Sequence, residues 1–371
     1  MNKSNKKNIV IKNGSLKMGG GERVLVDVLQ NIDTTKYKLI LLIDDDNGND
    51  NIFLTDIPEC VDVYFLRPQS LVKKIDYYYK KRKRNIFDKI FYNYYLWKNI
   101  KTSEIRTLEI LKKLFDKGNN IDVFVDFSGG ARKYIDKIAA NKKIIWRHIS
   151  ISEYKTKSKL ERYGNYANRY DILVSICESM KKEIEESLQF LKHKIKTIYN
   201  PIDFDRIINM SNQIDGLTIE EEALINKEYI LTVSRLDNGQ KDFDTLINSY
   251  KNAYEKGFDK NLYIIGDGSD REYIEKLISN NNLGEKVKIL GIQKNPYVWM
   301  KYSDFFILSS REEGFPTVLL EAMALGKAVI STNCPTGPNE ILKNGACGIL
   351  IPMEDVDEMS GAMLKLIRDE K

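Results

Sequence analysis

Two glutamates eight residues apart, Glu313 and Glu321, stand in the stretch REEGFPTVLLEAMALGKAVIST, residues 311–332. Between them lie Gly314, Phe315, Pro316 and Thr317. Pro316 has the character of a first helical residue, because no helix uses the N–H that proline lacks there. Val318 to Leu325 is nearly all apolar, and Gly326 can take the left-handed cap that ends a helix. The stretch therefore predicts a loop acid followed by a buried helix, over about 316–325, that carries a second acid.

Free N–H groups at such a helix start favour an anion. A carboxylate in the preceding loop can accept hydrogen bonds from hydroxyls held beside that anion. Glu321 could reach another hydroxyl about 8–12 Å away, from the helical rise of 1.5 Å per residue. Hydroxyls at both ends and a phosphate between them describe a sugar nucleotide. The competing reading makes both acids solvated surface charges. It fits Glu312 well and Glu321 poorly, since an unpaired carboxylate in so apolar a helix is costly.

These residues need elements to hold them. The first half alternates β-rich runs with helical stretches: NIVIKNG (8–14), YKLILLIDD (37–45), IDVFVDFSGG (121–130), KKIIWRHIS (142–150), YDILVSICES (170–179) and KIKTIYNPID (194–203). The polar segment after YNPID has no strong period and reads as a linker. The alternation then restarts with YILTVSRL, NLYIIGDGS, KVKILGI, DFFILSS, AVIST and GILIP. Two such series predict an α/β protein with two doubly wound parallel-sheet domains facing across a cleft. The expected divisions are 1–203, a linker over 204–227, and 228–371. A chain of 371 residues is also long for one core and suits two.

The run EGFPTVLLEAMALGKAVI resembles the E-x7-E signature of family-4 retaining glycosyltransferases of the GT-B fold. VSRLDNGQKDFDTLI resembles that family's diphosphate-binding segment, which implies Arg235 and Lys241. KMGGGERVLVDVL resembles its N-terminal glycine loop, implying Gly20 and Gly21 beside Gly19. IIWRHIS matches the position of its single histidine, His148, a contact to the transferred sugar. IIGDGSDREYIEKL and YNPID also take their expected places. The resemblance implies that Glu313 holds the donor sugar, that Gly314, Phe315, Pro316 and Thr317 belong to the donor site, and that Glu321 holds the ribose. Arg235 and Lys241 would neutralise the charge that develops on the leaving diphosphate. Front-face transfer then needs no protein nucleophile, no cofactor and no metal, and the two glutamates are not a glycosidase's acid and nucleophile.

The implied activity is transfer of a hexosyl or N-acetylhexosaminyl group from a nucleotide sugar, UDP-linked, to a growing surface glycan: lipopolysaccharide, capsule or a lipid-linked oligosaccharide. Two alternatives are a nucleotide-sugar epimerase of the same fold and a non-catalytic sugar-nucleotide-binding subunit. The E-x7-E segment with Arg235 and Lys241 argues against the first, and retention of the charged positions argues against the second. Members of the family usually continue for one or two helices that cross back onto the N-terminal domain. No such segment follows EMSGAMLKLIRDEK in these residues.

Composition narrows the setting. Four cysteines, none in a CxxC pair, and two histidines predict reduced core thiols and no metal site, in a cytoplasmic protein. The N-terminus reads as a first strand rather than a secretory signal. No run approaches the roughly 18–20 apolar residues that span a bilayer. Residues 67–101 hold eleven Lys/Arg against two Asp, a net +9 in a chain whose total is +5. Aromatic residues interleave these cations, a combination drawn to anionic lipid surfaces. The segment predicts a basic aromatic insertion that attaches the protein peripherally to the inner face of the cytoplasmic membrane. Stacking on RNA is compatible with the composition, but no RNA-binding motif accompanies it, so no nucleic-acid partner is expected.

Overall fold

A computed structural model describes residues 6–82, 84–115 and 120–369. Lys83 of the basic segment lies outside the described residues.

The first sheet comprises β1 (Lys7–Asn13), β2 (Tyr37–Asp45), β3 (Asp62–Arg67), β4 (Ile121–Asp126), β5 (Ala140–Arg147), β6 (Ile172–Ser175) and β7 (Ile195–Thr197). Their order is β3-β2-β1-β4-β5-β6-β7. The second comprises β8 (Tyr229–Val233), β9 (Asn261–Ile265), β10 (Val287–Gly291), β11 (Phe305–Leu308), β12 (Ala328–Thr332) and β13 (Ile349–Ile351), ordered β10-β9-β8-β11-β12-β13. Every pairing is parallel; Ile9, for example, lies between Leu39 and Val123, and Phe306 between Leu231 and Val329. Helices cover both faces of such sheets, which explains the continuous apolar runs in β2 and β11. In each sheet the strand order reverses once, between β1 and β4 and between β8 and β11. Loops at the carboxyl ends of strands beside such a reversal are where this architecture places ligands.

The chain divides into two compact units. One holds residues 1–148, 154–176 and 181–201; the other holds 149–153, 177–180 and 202–371. The segment 204–227, expected as a linker, instead folds as the helices Phe204–Ser211 and Ile219–Ile225 within the second unit. Local capping explains it. Asp203 accepts from the Arg206 N–H, and Thr218 and Glu221 form a reciprocal capping box. Each helix is only about two turns long, and a polar stretch separates them. Strand β3 was not expected either. It is an edge strand of six residues in which only Leu66 is fully buried.

Helix α1 (Gly20–Asn31) follows β1 through the glycine loop. The basic segment forms a helical hairpin, α2 (Gln69–Lys81) and α3 (Ile86–Phe115), which outruns the expected insertion by more than a dozen residues.

Candidate active site

The acidic loop follows β11, one side of the reversal in the second sheet. Glu313 is buried, and its Oε1 accepts from Lys241 Nζ at 2.5 Å and from Ser310 Oγ at 2.6 Å. Its carbonyl oxygen accepts from the Ser150 N–H at 3.0 Å and from Thr336 Oγ1 at 2.6 Å. Side chain and backbone are thus both fixed. Burial of a carboxylate is tolerable here because a cation and a hydroxyl meet it.

The other side of the reversal supplies the cations. The loop after β8 carries Arg235, and the short helix Asn238–Lys241 ends in Lys241. Arg235 is largely exposed, and its Nη2 donates to Gln240 Oε1 at 2.7 Å. Gln240 Nε2 in turn donates to the carbonyl of Glu312 at 3.0 Å. Arg235, Lys241 and Glu313 therefore belong to one connected assembly built from two loops.

Arg311, which belongs to none of the motifs, staples those loops. It donates to the Asn238 carbonyl at 2.7 Å, to Asp242 Oδ1 at 2.5 Å and to Glu354 Oε1 at 2.5 Å. Asp242 is fully buried in a left-handed conformation, φ 51°, and its carboxylate caps the next helix through the Thr245 N–H and hydroxyl. Burial pushes the Asp242 carboxyl up, and Arg311 opposes that shift. Gly266 completes the support. Its φ is +141°, and a Cβ there would fall 1.9 Å from the Ser234 carbonyl oxygen, so only glycine lets this loop lie against the Arg235 loop.

The helix after the acidic loop is Thr317–Ala324, with Pro316 at the N-cap rather than inside. Gly326 takes the expected left-handed turn at φ +72°. The helix is not buried all round. Leu319 and Ala322 are buried, while Val318, Leu320 and Met323 are partly covered. Glu321 is likewise half-buried, not sequestered. The partly covered Val318, Leu320 and Met323 still pack against the core of the second unit, which accounts for the mostly apolar run. Gly314 and Pro316 are buried, and Phe315 and Thr317 partly so. The first N–H groups of this helix have no intrahelical acceptor.

In the first unit, Gly20 and Gly21 form the first turn of α1 after β1. A Cβ on either would meet nothing within 4 Å, so the fold itself does not require glycine there. Glu22 of the same turn accepts from Ser15 Oγ at 2.8 Å. His148 follows β5, two places along the sheet from β1. Its Nε2 lies 2.8 Å from the Phe127 carbonyl oxygen, and its ring packs on Phe127 and Trp146. Burial lowers its pKa to about 4 despite that hydrogen bond. The ring is therefore neutral at pH 7, with Nε2–H donating to the carbonyl and Nδ1 left as an acceptor.

The sequence reading also missed a buried polar group at the same strand ends. Lys12 Nζ donates to Asp44 Oδ2 at 2.6 Å, and Asp44 accepts from Ser103 Oγ at 2.5 Å. Asp126 accepts from the Ala131 N–H at 2.9 Å and from Tyr170 OH at 2.6 Å. Strand runs ending in aspartate, LLIDD and FVD, were the available signal. None of the four cysteines forms a disulfide; Cys177 and Cys334 are buried, as core thiols would be, and Cys60 and Cys347 are exposed.

Residues 218–371 match the family model described as Glycosyl transferases group 1. Over 163 residues the chain is 37% identical to an uncharacterized glycosyltransferase of Methanocaldococcus jannaschii, covering 44% of this chain and 39% of that protein. Over 190 residues it is 30% identical to the N-acetylgalactosamine-N,N'-diacetylbacillosaminyl-diphospho-undecaprenol 4-alpha-N-acetylgalactosaminyltransferase of Campylobacter jejuni, covering 51% and 49%. The chain thus spans half or less of the length of these relatives. HepE of Anabaena, solved in complex with UDP and glucose, aligns over 98% of this chain and 90% of that one, with a TM-score of 0.70 and 18% identity. The architecture is that of the GT-B fold, and its second unit carries the match to the group 1 glycosyl transferases.

Proposed function

We propose that the protein is a retaining glycosyltransferase of family 4 that moves a hexosyl or N-acetylhexosaminyl group from a UDP-sugar to a growing surface glycan or glycolipid. One observation carries this reading. Lys241 and Glu313, from the loops that flank the strand reversal, meet at 2.5 Å, with Arg235 tied to the same helix through Gln240. A carboxylate that holds one N–H of an ammonium fixes its position and leaves two donors for phosphate oxygens. Arg235 adds a second, accessible cation. Together they would stabilise a departing diphosphate without a metal. Glu313 Oε2 serves a sugar hydroxyl, Glu321 the ribose, and the backbone N–H groups of Gly314, Phe315 and Thr317, on either side of Pro316, the phosphates and sugar. In the first unit, the first-turn amides at Gly20 and Gly21 and Nδ1 of His148 serve hydroxyls of the sugar substrates.

The nucleotide bound to HepE and the name of the Campylobacter relative support a UDP-sugar and a lipid-linked acceptor. The reading places the protein at the inner face of the cytoplasmic membrane. The test is incubation with a panel of nucleotide sugars, read by nucleotide release and by the anomeric configuration of the product. UDP release that persists in EDTA, with retained configuration, is expected. Donor binding without release or transfer to any acceptor would instead identify a binding subunit.

A further inference from the structure

The hairpin of α2 and α3 sorts its aromatic residues into two sets. Tyr78, Tyr92 and Tyr95 lie between the helices. Tyr78 stacks on Tyr95 at 5.3 Å and on Phe91, at the edge of this seam, at 5.3 Å, and Tyr79 meets Tyr92 at 5.8 Å. These rings hold the two helices together. The other set faces outward. Ile86, Phe87, Ile90, Tyr94 and Trp97 are between 50% and 70% exposed. Their spacing repeats each helical turn, so they form one stripe about 17 Å long on α3, from the rise of 1.5 Å per residue. So large an exposed apolar stripe is unusual on a soluble surface and marks an interaction site.

Cations border this stripe. Lys80, Arg84, Lys89 and Lys98 are exposed. Lys81 and Arg82 lie over the rings of Tyr77 and Tyr79, 4.0 and 3.4 Å from the ring centroids. The root of the hairpin is by contrast fixed. Leu71, Val72 and Leu111 are buried, Ser103 donates to Asp44, and Glu104 accepts from Lys137 at 2.5 Å. The apolar stripe begins at the hairpin turn and stops before this root.

We infer that the outer face of α3, from Ile86 to Trp97, docks into the headgroup region of an anionic lipid bilayer. Charge decides the occupant. An aromatic stripe bordered by Lys and Arg matches a negative surface with an apolar layer beneath it, in the manner of interfacial amphipathic helices. A second copy of the chain would set this net +9 segment against itself. The inference deepens the proposed location at the membrane and rests on that reading only for which leaflet is met; vesicle binding needs no donor, and nucleotide release needs no vesicle, so either can fail alone.

The test is co-sedimentation of the full chain with phosphatidylglycerol–phosphatidylcholine vesicles and with phosphatidylcholine vesicles. Binding should favour the anionic vesicles by about tenfold or more and weaken with salt. Phe87→Ala with Trp97→Ala should lose binding at unchanged melting temperature, since both side chains are exposed. Brominated lipid should quench emission in the wild type and far less in Trp97→Phe, because Trp299 is buried and Trp146 partly so. Equal binding to both vesicles, or binding unchanged in the double variant, would overturn the inference. So would self-association in sedimentation velocity that the double variant abolishes.

Discussion

Lys241 and Glu313 are separated by 72 positions in the chain, yet Nζ and Oε1 stand 2.5 Å apart with both side chains largely withdrawn from water. The contact makes stability and turnover separable at one pair. Lys241→Met or Glu313→Gln alone leaves the remaining partner without its counter-charge in a largely buried place, at a cost of about 1–3 kcal/mol. The double variant should recover part of that loss. All three should fall at least about a hundredfold in turnover, the scale for losing one electrostatic stabiliser. Urea unfolding and nucleotide release check the two halves, and near-normal turnover in Glu313→Gln would remove it from the site.

Arg311 predicts a loss of donor affinity without direct contact. Arg311→Ala frees the Asp242 carboxylate and unlocks the loops that carry Lys241 and Glu313. A drop of about 2–3 kcal/mol in stability is expected, the range for a charged hydrogen bond, with weaker UDP binding by calorimetry. Unaltered UDP affinity would mean that the loops hold their places without the staple.

At Gly266 the backbone decides. Gly266→Ala meets both a disfavoured φ and the Ser234 carbonyl, so it should destabilise by more than about 1 kcal/mol. UDP binding should weaken with it, because Ser234 adjoins Arg235. A variant with the wild-type melting temperature would contradict this geometry.

Gly20 and Gly21 predict the opposite sign. A Cβ at either meets nothing within 4 Å, so alanine in this first turn should raise stability by up to about 1 kcal/mol. If a ligand lies against these amides, turnover falls all the same. Gly21→Ala with full turnover would show that no substrate approaches there.

His148 predicts a pH dependence. Its pKa is near 4 in the folded chain against an ordinary value of 6.5. Between those values the unfolded state binds the proton and the folded state does not. Stability therefore declines as pH falls from about 6.5 to about 4, by at most about 3 kcal/mol, and levels off below. His148→Gln should remove that part of the slope in urea midpoints measured across the window. Equal slopes in the two proteins would count against burial of the ring.

Much of this was legible because short continuous apolar runs and their breaks are local properties. β2 and β12 fall where YKLILLIDD and AVIST put them, and Glu313 announced itself as an acid before a helix start. What escaped was non-local or too short. Nothing around Arg311 says that it reaches Asn238 and Asp242, since that depends on two loops meeting in space. The helices of 204–227 were hidden because each lasts only about two turns and a polar stretch separates them. The helix Thr317–Ala324 misled in the other direction, since uniform apolarity does not reveal which face is covered. The basic segment was read as one aromatic surface, whereas pairing of α2 with α3 turns Tyr78, Tyr92 and Tyr95 inward.

The packing of Thr317–Ala324 against the core of its unit gives the eight-residue separation of Glu313 and Glu321 an angular meaning. Each residue added to or taken from this helix before Glu321 would turn that carboxylate by about 100° around the axis. It would then leave its present half-buried place for a different side of the helix. The interval sets a phase as well as a length, so a single-residue insertion there would be more damaging than replacing most of the residues it separates.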